Sequence, residues 1–153
     1  MQYREATTFD AAVLARMNVQ LIQDEGHRNR MSPDELVARM SAWLAGEYRA
    51  VLFEDDHGPA GYALFRVDDE FIYLRQFFVC PKRRRRGIGR AAVRWLIENV
   101  WRGRPQTRLE VLVSNHAGID FWHAVGFADY CITMERPLET SIAGDSTAAG
   151  QPL

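Results

Sequence analysis

The sequence predicts an α/β (α+β) fold: one domain with a mixed, mostly antiparallel sheet and helices on both faces. Three apolar segments of strand character, at 48–54, 61–67 and 71–79, follow one another with only short polar turns between them. Strands that are joined by tight turns pair antiparallel. The third segment is followed by a helical pattern and then by another strand pattern, so 71–113 predicts a right-handed parallel crossover. A mixed sheet follows from these two kinds of connection.

The N-terminal part of the chain predicts a short strand and two helices. The strand is expected at 2–6, and a helix at about 9–23, where apolar residues recur at helical spacing. The second helix has the clearest start signal in the sequence. Ser32 precedes Pro33, and a glutamate stands three residues after the serine, which is the pattern of a capping box. Gly46 is expected to end this helix, because glycine is favoured just beyond a helix C-terminus.

The second half of the chain completes the domain. Its predicted elements are a helix at 88–101, a strand at 108–113, a helix at 116–125 and a last strand at 130–136. The predicted order over residues 1–136 is therefore β-α-α-β-β-β-α-β-α-β. From Pro137 onward the chain is small and polar without periodicity, which predicts a disordered tail at 137–153.

Composition limits the class of protein. At 153 residues, 47% hydrophobic and 25% charged, the chain has the composition of one soluble globular domain. No apolar run approaches the length of a membrane span, and the N-terminus lacks the apolar region of a signal peptide. Cys80 and Cys131 are the only cysteines and no histidines cluster, so neither a disulfide scaffold nor a metal site is predicted. A reducing cytoplasm is the expected location.

A basic, glycine-containing turn follows the strand predicted at 71–79. Lys82 and four arginines, Arg83 to Arg86, lead into Gly87-Ile88-Gly89, where the next helix begins. Backbone N–H groups converge at a helix N-terminus, and the helix dipole adds partial positive charge there. The charge distribution agrees, since residues 80–153 carry a net +4 and residues 1–79 a net −5. The turn therefore predicts an anion site, typically for phosphate.

Two motifs resemble one known family. Arg84 to Gly89 matches the pattern Arg/Gln-x-x-Gly-x-Gly/Ala after a strand, and so resembles the acyl-coenzyme A pyrophosphate loop of the GNAT superfamily of N-acyltransferases. The stretch from Asn115 to Phe127, with the aromatic pair Phe121-Trp122, looks like the closing motif of the same superfamily. The predicted order of elements also matches the GNAT fold, and the resemblance covers roughly residues 2–136.

The resemblance implies an N-acetyltransferase that moves an acetyl group from acetyl-CoA to a primary amine by direct attack in a ternary complex. In such enzymes the strand before the loop splays open and its backbone binds the pantetheine arm. Val79 is the residue whose backbone is expected to polarise the thioester. The cofactor contacts that the resemblance implies are Phe77, Phe78, Val79, Arg84, Arg85, Arg86, Gly87, Ile88, Gly89, Arg90, Asn115 and Trp122.

The acceptor side departs from the family pattern. Many relatives have a tyrosine at the position of Trp122 as general acid, but an indole N–H is not an acid near neutral pH, so Tyr130 or a water molecule is left as the candidate. Many relatives also carry acidic residues where this chain has Arg75 and Gln76, which favours an acceptor amine that also bears a negative group. Glu25 and His27, in the loop that flanks the acceptor site of this fold, are further candidate substrate contacts.

Two other functions stay open from the sequence. A non-catalytic acyl-CoA-binding sensor would keep the cofactor site and lack transfer. A nucleic-acid-binding module would use Lys82 to Arg86 as its basic patch, but the net charge of −1 and the lack of aromatic–basic interleaving disfavour it. The expected partner is a small-molecule or peptide amine, with no nucleic acid and no membrane, and homodimerisation is left open.

Overall fold

A five-stranded sheet with strand order β1-β2-β3-β4-β5 forms the centre of the computed structural model, which describes residues 1–138. The elements in chain order are β1 (Gln2–Glu5), α1 (Ala11–Glu25), α2 (Pro33–Ala45), β2 (Tyr48–Asp55), β3 (Gly58–Val67), β4 (Ile72–Val79), α3 (Ile88–Asn99), β5 (Thr107–Arg108) and α4 (His116–Ala124). The tail predicted at 137–153 falls outside the described residues from 139 onward.

The sheet is mixed and mostly antiparallel, as predicted. Strands β1 to β4 pair antiparallel in sequence order, and β5 pairs parallel with β4. The β3–β4 register contains a bulge. Leu64 lies opposite Gln76 and Phe65 lies opposite Leu74, so Arg75 is the extra residue of β4. A bulge breaks the alternation of side chains between the two faces of a strand.

Helices cover both faces of the sheet, which confirms the predicted fold class. On one face α1 and α2 pack against the sheet through an apolar cluster that includes Leu14, Met40 and Tyr62. On the other face α3 packs through a second cluster that includes Phe65 and Leu96. All of these side chains are buried. The two clusters give the domain the layered core that an amphipathic helix on a sheet requires.

The helix signals of the N-terminal half are confirmed. The Ser32 side chain accepts a hydrogen bond from the Glu35 N–H, and the Glu35 side chain accepts one from the Ser32 N–H, which completes the capping box. Gly46 ends α2, as predicted. Helix α1 runs two residues beyond its predicted end, to Glu25, and Gly26 terminates it in the left-handed region at φ 63°. Glycine adopts that conformation without steric cost.

The strands predicted at 108–113 and 130–136 are corrected by the structure. The first is reduced to Thr107–Arg108, and residues 130–136 form no strand. Tyr130, Ile132 and Met134 alternate as strand residues do, yet they are 77%, 82% and 88% exposed. A strand needs a neighbouring edge with which to form hydrogen bonds. Because β5 is only two residues long, it offers residues 130–136 no such edge. The alternating pattern of apolar residues at 130–136 therefore does not correspond to a strand.

Candidate active site

The phosphate turn has the geometry that the sequence predicts. Gly87 lies at the N-terminal cap of α3 with φ 75°, and Arg85 is the one non-glycine residue of the described chain with positive φ, at 62°. The first N–H groups of α3 therefore open onto the turn that carries Arg85 and Arg86. The side chains of Arg85, Arg86 and Arg90 are exposed, and none of the three forms an ion pair within residues 1–138. Backbone donors and unpaired guanidinium groups fit a polyphosphate.

The other two arginines of the run have structural partners. Arg83 forms an ion pair with Asp55 at 2.9 Å and donates a hydrogen bond to the Pro59 carbonyl oxygen at 2.9 Å. Arg84 forms an ion pair with Asp24 of α1, and its Nε donates to the Val79 carbonyl oxygen at 2.8 Å. The run from Lys82 to Arg86 is therefore not one continuous basic face.

The end of β4 presents backbone groups along an open edge. The Cys80 N–H donates to the Ala60 carbonyl oxygen at 2.8 Å, so this pair is a hydrogen-bonded one in the antiparallel ladder. The N–H and C=O of the preceding residue, Val79, must then point to the opposite side. On that side β5 pairs with β4 only at Ile72 and Tyr73 in the described chain. The Val79 carbonyl accepts from Arg84, and its N–H faces the open edge.

An aromatic cluster lies between β4 and α4, next to this edge. Trp122 contacts Phe77, Phe121 and Phe127, with ring centroids 4.9 to 5.2 Å apart. A Cβ built on Gly89 would lie 3.1 Å from the Phe121 ring. The absence of a side chain at Gly89 thus lets α3 approach α4 closely, and φ does not explain this glycine.

Asn115 and Ile88 complete the set of predicted cofactor contacts. The Asn115 side chain accepts from the Gly118 N–H at 3.0 Å and so caps α4. Ile88 is half-buried as the first residue of α3. The structure therefore brings the loop, the end of β4 and the Phe121–Trp122 pair of α4 together, whereas Asn115 is placed as the cap of α4.

The residues predicted to contact the acceptor lie on the opposite face, between β4 and the helices α1 and α2. Tyr62 is fully buried there, and its hydroxyl donates to the Gln76 side-chain oxygen at 2.8 Å. Burial raises the pKa of Tyr62, and the nearby Arg39 charge opposes this shift. The bulge at Arg75 places the Arg75 and Gln76 side chains on this same face, since Gln76 meets Tyr62 and Arg75 lies over the rings of Trp43 and Tyr48. Both predicted contacts thus lie on one face of the sheet beside α2, and we call this surface the cleft.

Glu25 lies at the end of α1 beside this cleft. Burial raises the pKa of the Glu25 carboxyl above its ordinary value, with a smaller contribution from the negative charge of Asp24, whereas His27 acts in the opposite direction. Asp24, the residue before Glu25, forms an ion pair with Arg84, which places the end of α1 near the end of β4. His27 is exposed next to Glu25. A half-buried carboxyl with a raised pKa is a stronger proton acceptor than an ordinary glutamate.

The structure places Tyr130 away from this cleft and corrects its candidacy as general acid. The Tyr130 ring is exposed and lies 4.9 Å from the Arg108 guanidinium carbon. Arg108 is the register partner of Tyr73, near the start of β4. Six residues of strand separate Tyr73 from Val79, which is about 20 Å. Tyr130 therefore does not reach the end of β4 at which the thioester contact was predicted.

Three residues of the site have no predicted role: Asp24, Arg39 and Trp43. Asp24 ties the end of α1 to Arg84. Arg39 donates to the buried Asn18 side chain at 2.9 Å and lies 4.4 Å from the centre of the Trp43 ring. The spacing of four residues between Arg39 and Trp43, on one side of α2, is the one sequence signal that links them.

A cofactor edge and a polar cleft on the two sides of one opened strand are typical of acyl-coenzyme A-dependent transferases. The chain belongs to the acetyltransferase (GNAT) family, whose family model matches residues 18–127. Acetyl-CoA is the cofactor of this family, and the unpaired arginines and glycine turn described above fit its phosphates. Within residues 1–138 no group of three histidine, cysteine or acidic side chains could hold a metal ion, and no helix could cross a membrane.

Solved structures show the same fold. A mutant of the BH1408 protein from Bacillus halodurans is 24% identical with a TM-score of 0.73, over 91% of this chain and 100% of that chain. A predicted acetyltransferase from Clostridium acetobutylicum, solved with acetyl-CoA, is 19% identical with a TM-score of 0.71, over 89% and 95%. The aminoglycoside N-acetyltransferase AAC(6')-Iy, in complex with CoA, is 17% identical with a TM-score of 0.68, over 89% and 93%. No curated protein matches the chain.

Proposed function

We propose that this protein transfers an acetyl group from acetyl-CoA directly to the primary amine of a small molecule or peptide. One observation carries the proposal: the open edge of β4 ends at Val79, directly beside the glycine-capped N-terminus of α3. A coenzyme A thioester needs an anion site for its phosphates and free strand backbone for its pantetheine amides. Here the two follow one another along the chain.

The cofactor residues divide into three groups by chemistry. The backbone from Arg85 to Arg90 and the free guanidinium groups bind the phosphates. The edge of β4 from Phe77 to Val79 and the wall of Trp122 hold the pantetheine arm. The Val79 N–H stabilises the negative charge that develops on the thioester oxygen, while Arg84 holds the Val79 peptide in place through its carbonyl.

Glu25 is the group that we propose as general base. The amine must lose a proton as its nitrogen bonds to the carbonyl carbon and the carbon–sulfur bond breaks. Tyr62, whose pKa the charge of Glu25 raises, is the register partner of Phe78, one residue before Val79. The Asp24–Arg84 ion pair fixes the adjacent residue of α1 to the same end of β4. The amine proton goes to Glu25, and the leaving thiolate takes its proton from water, because Trp122 offers no acid.

Acetyl transfer is tested by measuring thiol release from acetyl-CoA with a panel of primary amines that covers amino acids, small peptides and polyamines. Amine-dependent thiol release supports the enzyme. Saturable acetyl-CoA binding without release on any amine would instead favour the acyl-CoA sensor. Absence of acetyl-CoA binding by folded protein would overturn both functions.

The remaining predictions about partners and location are untested. The nucleic-acid alternative is weakened because Arg83 and Arg84, in the middle of its basic patch, are held by Asp55 and Asp24. A small-molecule or peptide acceptor, a cytoplasmic location and homodimerisation stay predictions.

A further inference from the structure

Two arginines share one indole ring in the acceptor cleft. The guanidinium carbon of Arg39 lies 4.4 Å from the centre of the Trp43 ring, and that of Arg75 lies 4.6 Å from the same centre. The Tyr48 hydroxyl accepts from Arg75 at 3.4 Å. Stacking on aromatic rings holds a guanidinium in a fixed plane and leaves its N–H edges available.

Neither guanidinium has a carboxylate partner in the part of the chain that the structure describes. Seven of the other sixteen arginines in residues 1–138 do have such a partner. Carboxylates pair with Arg4, Arg28, Arg49, Arg66, Arg83, Arg84 and Arg94. Arg39 contacts only the neutral Asn18, and its Nε atom is buried without a hydrogen-bond partner.

The pairing of like charges has an energetic cost. Burial lowers the pKa of Arg39, and the positive charge of Arg75 lowers it further. Two neighbouring cations, one of them with a buried donor that lacks a hydrogen-bond partner, are stabilised when an anion binds beside them. The arrangement is therefore that of a site which is complete only with a ligand.

The position of the two arginines identifies which part of a ligand they meet. Arg75 precedes Val79 by four residues of β4, which is about 13 Å along the strand. Its side chain leans toward Tyr48 and Trp43, away from Val79. Tyr62 is the register partner of Phe78, and Asp24, next to Glu25, pairs with Arg84, so Tyr62 and the end of α1 both lie toward the Val79 end of β4. An acceptor whose amine meets Glu25 would place its other end at the arginines.

We propose that the acceptor is an amine that carries a carboxylate or a phosphate, and that Arg39 and Arg75, which both contact the Trp43 indole, bind this anionic group. The proposal rests on the transferase function and names its substrate class. Two guanidinium groups give bidentate bonds to a carboxylate or phosphate and repel polycations. Polyamines and aminoglycosides are therefore poor acceptors.

The proposal is tested with matched acceptors that differ only in charge. One series contains ω-amino acids of about three to eight carbon atoms, which span the separation estimated along β4. The second contains the corresponding primary amides, and a third contains aminoalkylphosphonates. We measure kcat/KM for wild type, Arg39→Gln, Arg75→Gln and Arg75→Lys, and for Arg16→Gln as a control at an exposed arginine of α1. Acetyl-CoA affinity is measured for each variant.

The expected result is a preference of the wild type for acids of one chain length over their amides by about tenfold or more. Arg39→Gln and Arg75→Gln should each lower kcat/KM for the acids by about 10- to 100-fold, as expected for hydrogen bonds to a charged group. The amides and acetyl-CoA affinity should be unaffected, Arg75→Lys should recover part of the loss, and Arg16→Gln should behave as wild type. The phosphonate series shows which anion is preferred.

Equal turnover of acids and amides by the wild type, or equal losses on both series in the variants, would overturn the proposal. Failure of transfer itself is separated by calorimetry with the N-acetylated ω-amino acids and their amides. Heat with the acids that is lost in Arg39→Gln and Arg75→Gln, without thiol release from any amine, supports the anion site while refuting the transferase. No heat with either series, again without thiol release, refutes both.

Discussion

The carboxyl of Glu25 is the group that we propose as the general base. It stands at the last position of α1, half-buried, and burial raises its pKa. The neighbouring Asp24 behaves in the opposite way. Partial burial acts against it, but hydrogen bonds from Arg84 and Gln20 hold the pKa of Asp24 below its usual value. Adjacent carboxyls with pKa values shifted in opposite directions mark one as a proton acceptor and the other as a structural anion.

Glu25→Gln should lower kcat by about 10²-fold or more, since it removes the base, and should leave acetyl-CoA affinity unchanged. In the wild type the rate should rise with pH through a pKa above the ordinary glutamate value, and this limb should be absent from the variant. The pH–rate profiles of both proteins provide the measurement. A variant that retains the same pH dependence would exclude Glu25 as the base.

The raised pKa of the Glu25 carboxyl also determines the direction in which stability changes with pH. Because the folded-state pKa lies above the unfolded value, the fold disfavours the charged form of Glu25. The free energy of unfolding therefore falls as the pH rises from the unfolded pKa through the folded pKa. Glu25→Gln should therefore unfold at higher urea concentration than wild type at pH 7, and the difference should shrink below about pH 4. A difference that grows in acid would contradict this sign.

Gly87 and Gly89 exclude side chains for different reasons, which two variants can separate. Gly87→Ala should be strained because of its positive φ, while its Cβ would meet no atom within 4 Å. Gly89→Ala should instead push on the Phe121 ring, and Gly89→Val should abolish CoA binding by displacing α4. The two thermal midpoints and the CoA affinities are the measurements.

The double variants provide the control for this interpretation. Phe121→Leu should restore part of the stability and CoA affinity of Gly89→Ala, because it removes the clashing ring, but should restore nothing in Gly87→Ala. Equal rescue of both glycine variants would mean that the Phe121 contact does not determine the requirement for Gly89.

At the scale of elements, the ion pair between Arg84 and Asp24 connects three parts of the site. It joins the phosphate turn to the end of α1, and through the Val79 carbonyl it joins both to the end of β4. The Arg84 guanidinium also lies over the Phe78 ring. A single side chain thus holds the proposed base and the proposed oxyanion donor in register.

Arg84→Gln should lower kcat by about 10- to 100-fold through misplacement of the Val79 peptide and of the end of α1. Arg83→Gln is the matched control, because the Arg83 side chain pairs with Asp55 and the Pro59 carbonyl and not with Asp24 or the Val79 carbonyl. Steady-state kinetics of the two variants decide between local positioning and loss of positive charge. Equal losses in both would favour the charge.

The aromatic cluster around Trp122 predicts a small effect of a conservative substitution. Trp122 packs against Phe77, Phe121 and Phe127, so Trp122→Phe keeps ring contacts and removes only the indole N–H. We expect turnover to change by no more than a few-fold, since that N–H is not an acid. A loss of about 10²-fold with intact acetyl-CoA binding would assign Trp122 a direct role in proton transfer.

Elements with local signals were predictable from the sequence, and those that depend on distant partners were not. The capping box at Ser32 and the turn at Gly87 are determined by neighbouring residues, and both are confirmed. The alternation at 130–136 predicts a strand, but a strand also requires an edge that β5 does not provide. The bulge at Arg75 depends on the register with β3, which no local pattern encodes.

The residues of the candidate site also divide into those with local sequence signals and those that depend on distant partners. The residues of the phosphate turn stand together in sequence, so their convergence was predictable. Arg39 and Arg75 come from α2 and β4 and meet only through Trp43. On its own, Arg39 cannot be told from an arginine on a solvated helix face. Residue type alone makes Tyr130 a candidate general acid, whereas its distance from Val79 depends on tertiary structure.

At the scale of the whole molecule, arginines without a carboxylate partner in residues 1–138 lie at each of the two proposed anion sites. Arg85, Arg86 and Arg90 surround the N-terminus of α3, and Arg39 and Arg75 lie on the other face of the sheet. The chain as a whole carries a net charge of only −1. A local field built in this way attracts a polyanion without making the protein a general polyanion binder.

Cofactor binding should therefore depend on phosphate groups in steps. Acetyl-CoA and CoA should bind with dissociation constants of about 1 μM to 1 mM, and a hundredfold excess over the dissociation constant should stabilise the fold by about 2.7 kcal/mol. Dephospho-CoA, which lacks the 3′-phosphate, should bind more weakly, and pantetheine, which lacks all phosphates, should give no thermal shift at the same concentration. Added salt should weaken CoA binding, because screening acts on exposed charges.

Single-arginine variants identify the side chains that cause this dependence on phosphate groups. Arg85→Gln, Arg86→Gln and Arg90→Gln should each reduce the thermal shift with CoA, whereas Arg94→Gln should not, because Arg94 lies on the same helix but is paired with Glu98. The measurement is the thermal unfolding of the wild type and the four variants with CoA, dephospho-CoA and pantetheine. Equal shifts with CoA and pantetheine, or equal sensitivity at Arg94 and Arg90, would show that the N-terminus of α3 does not bind the phosphates.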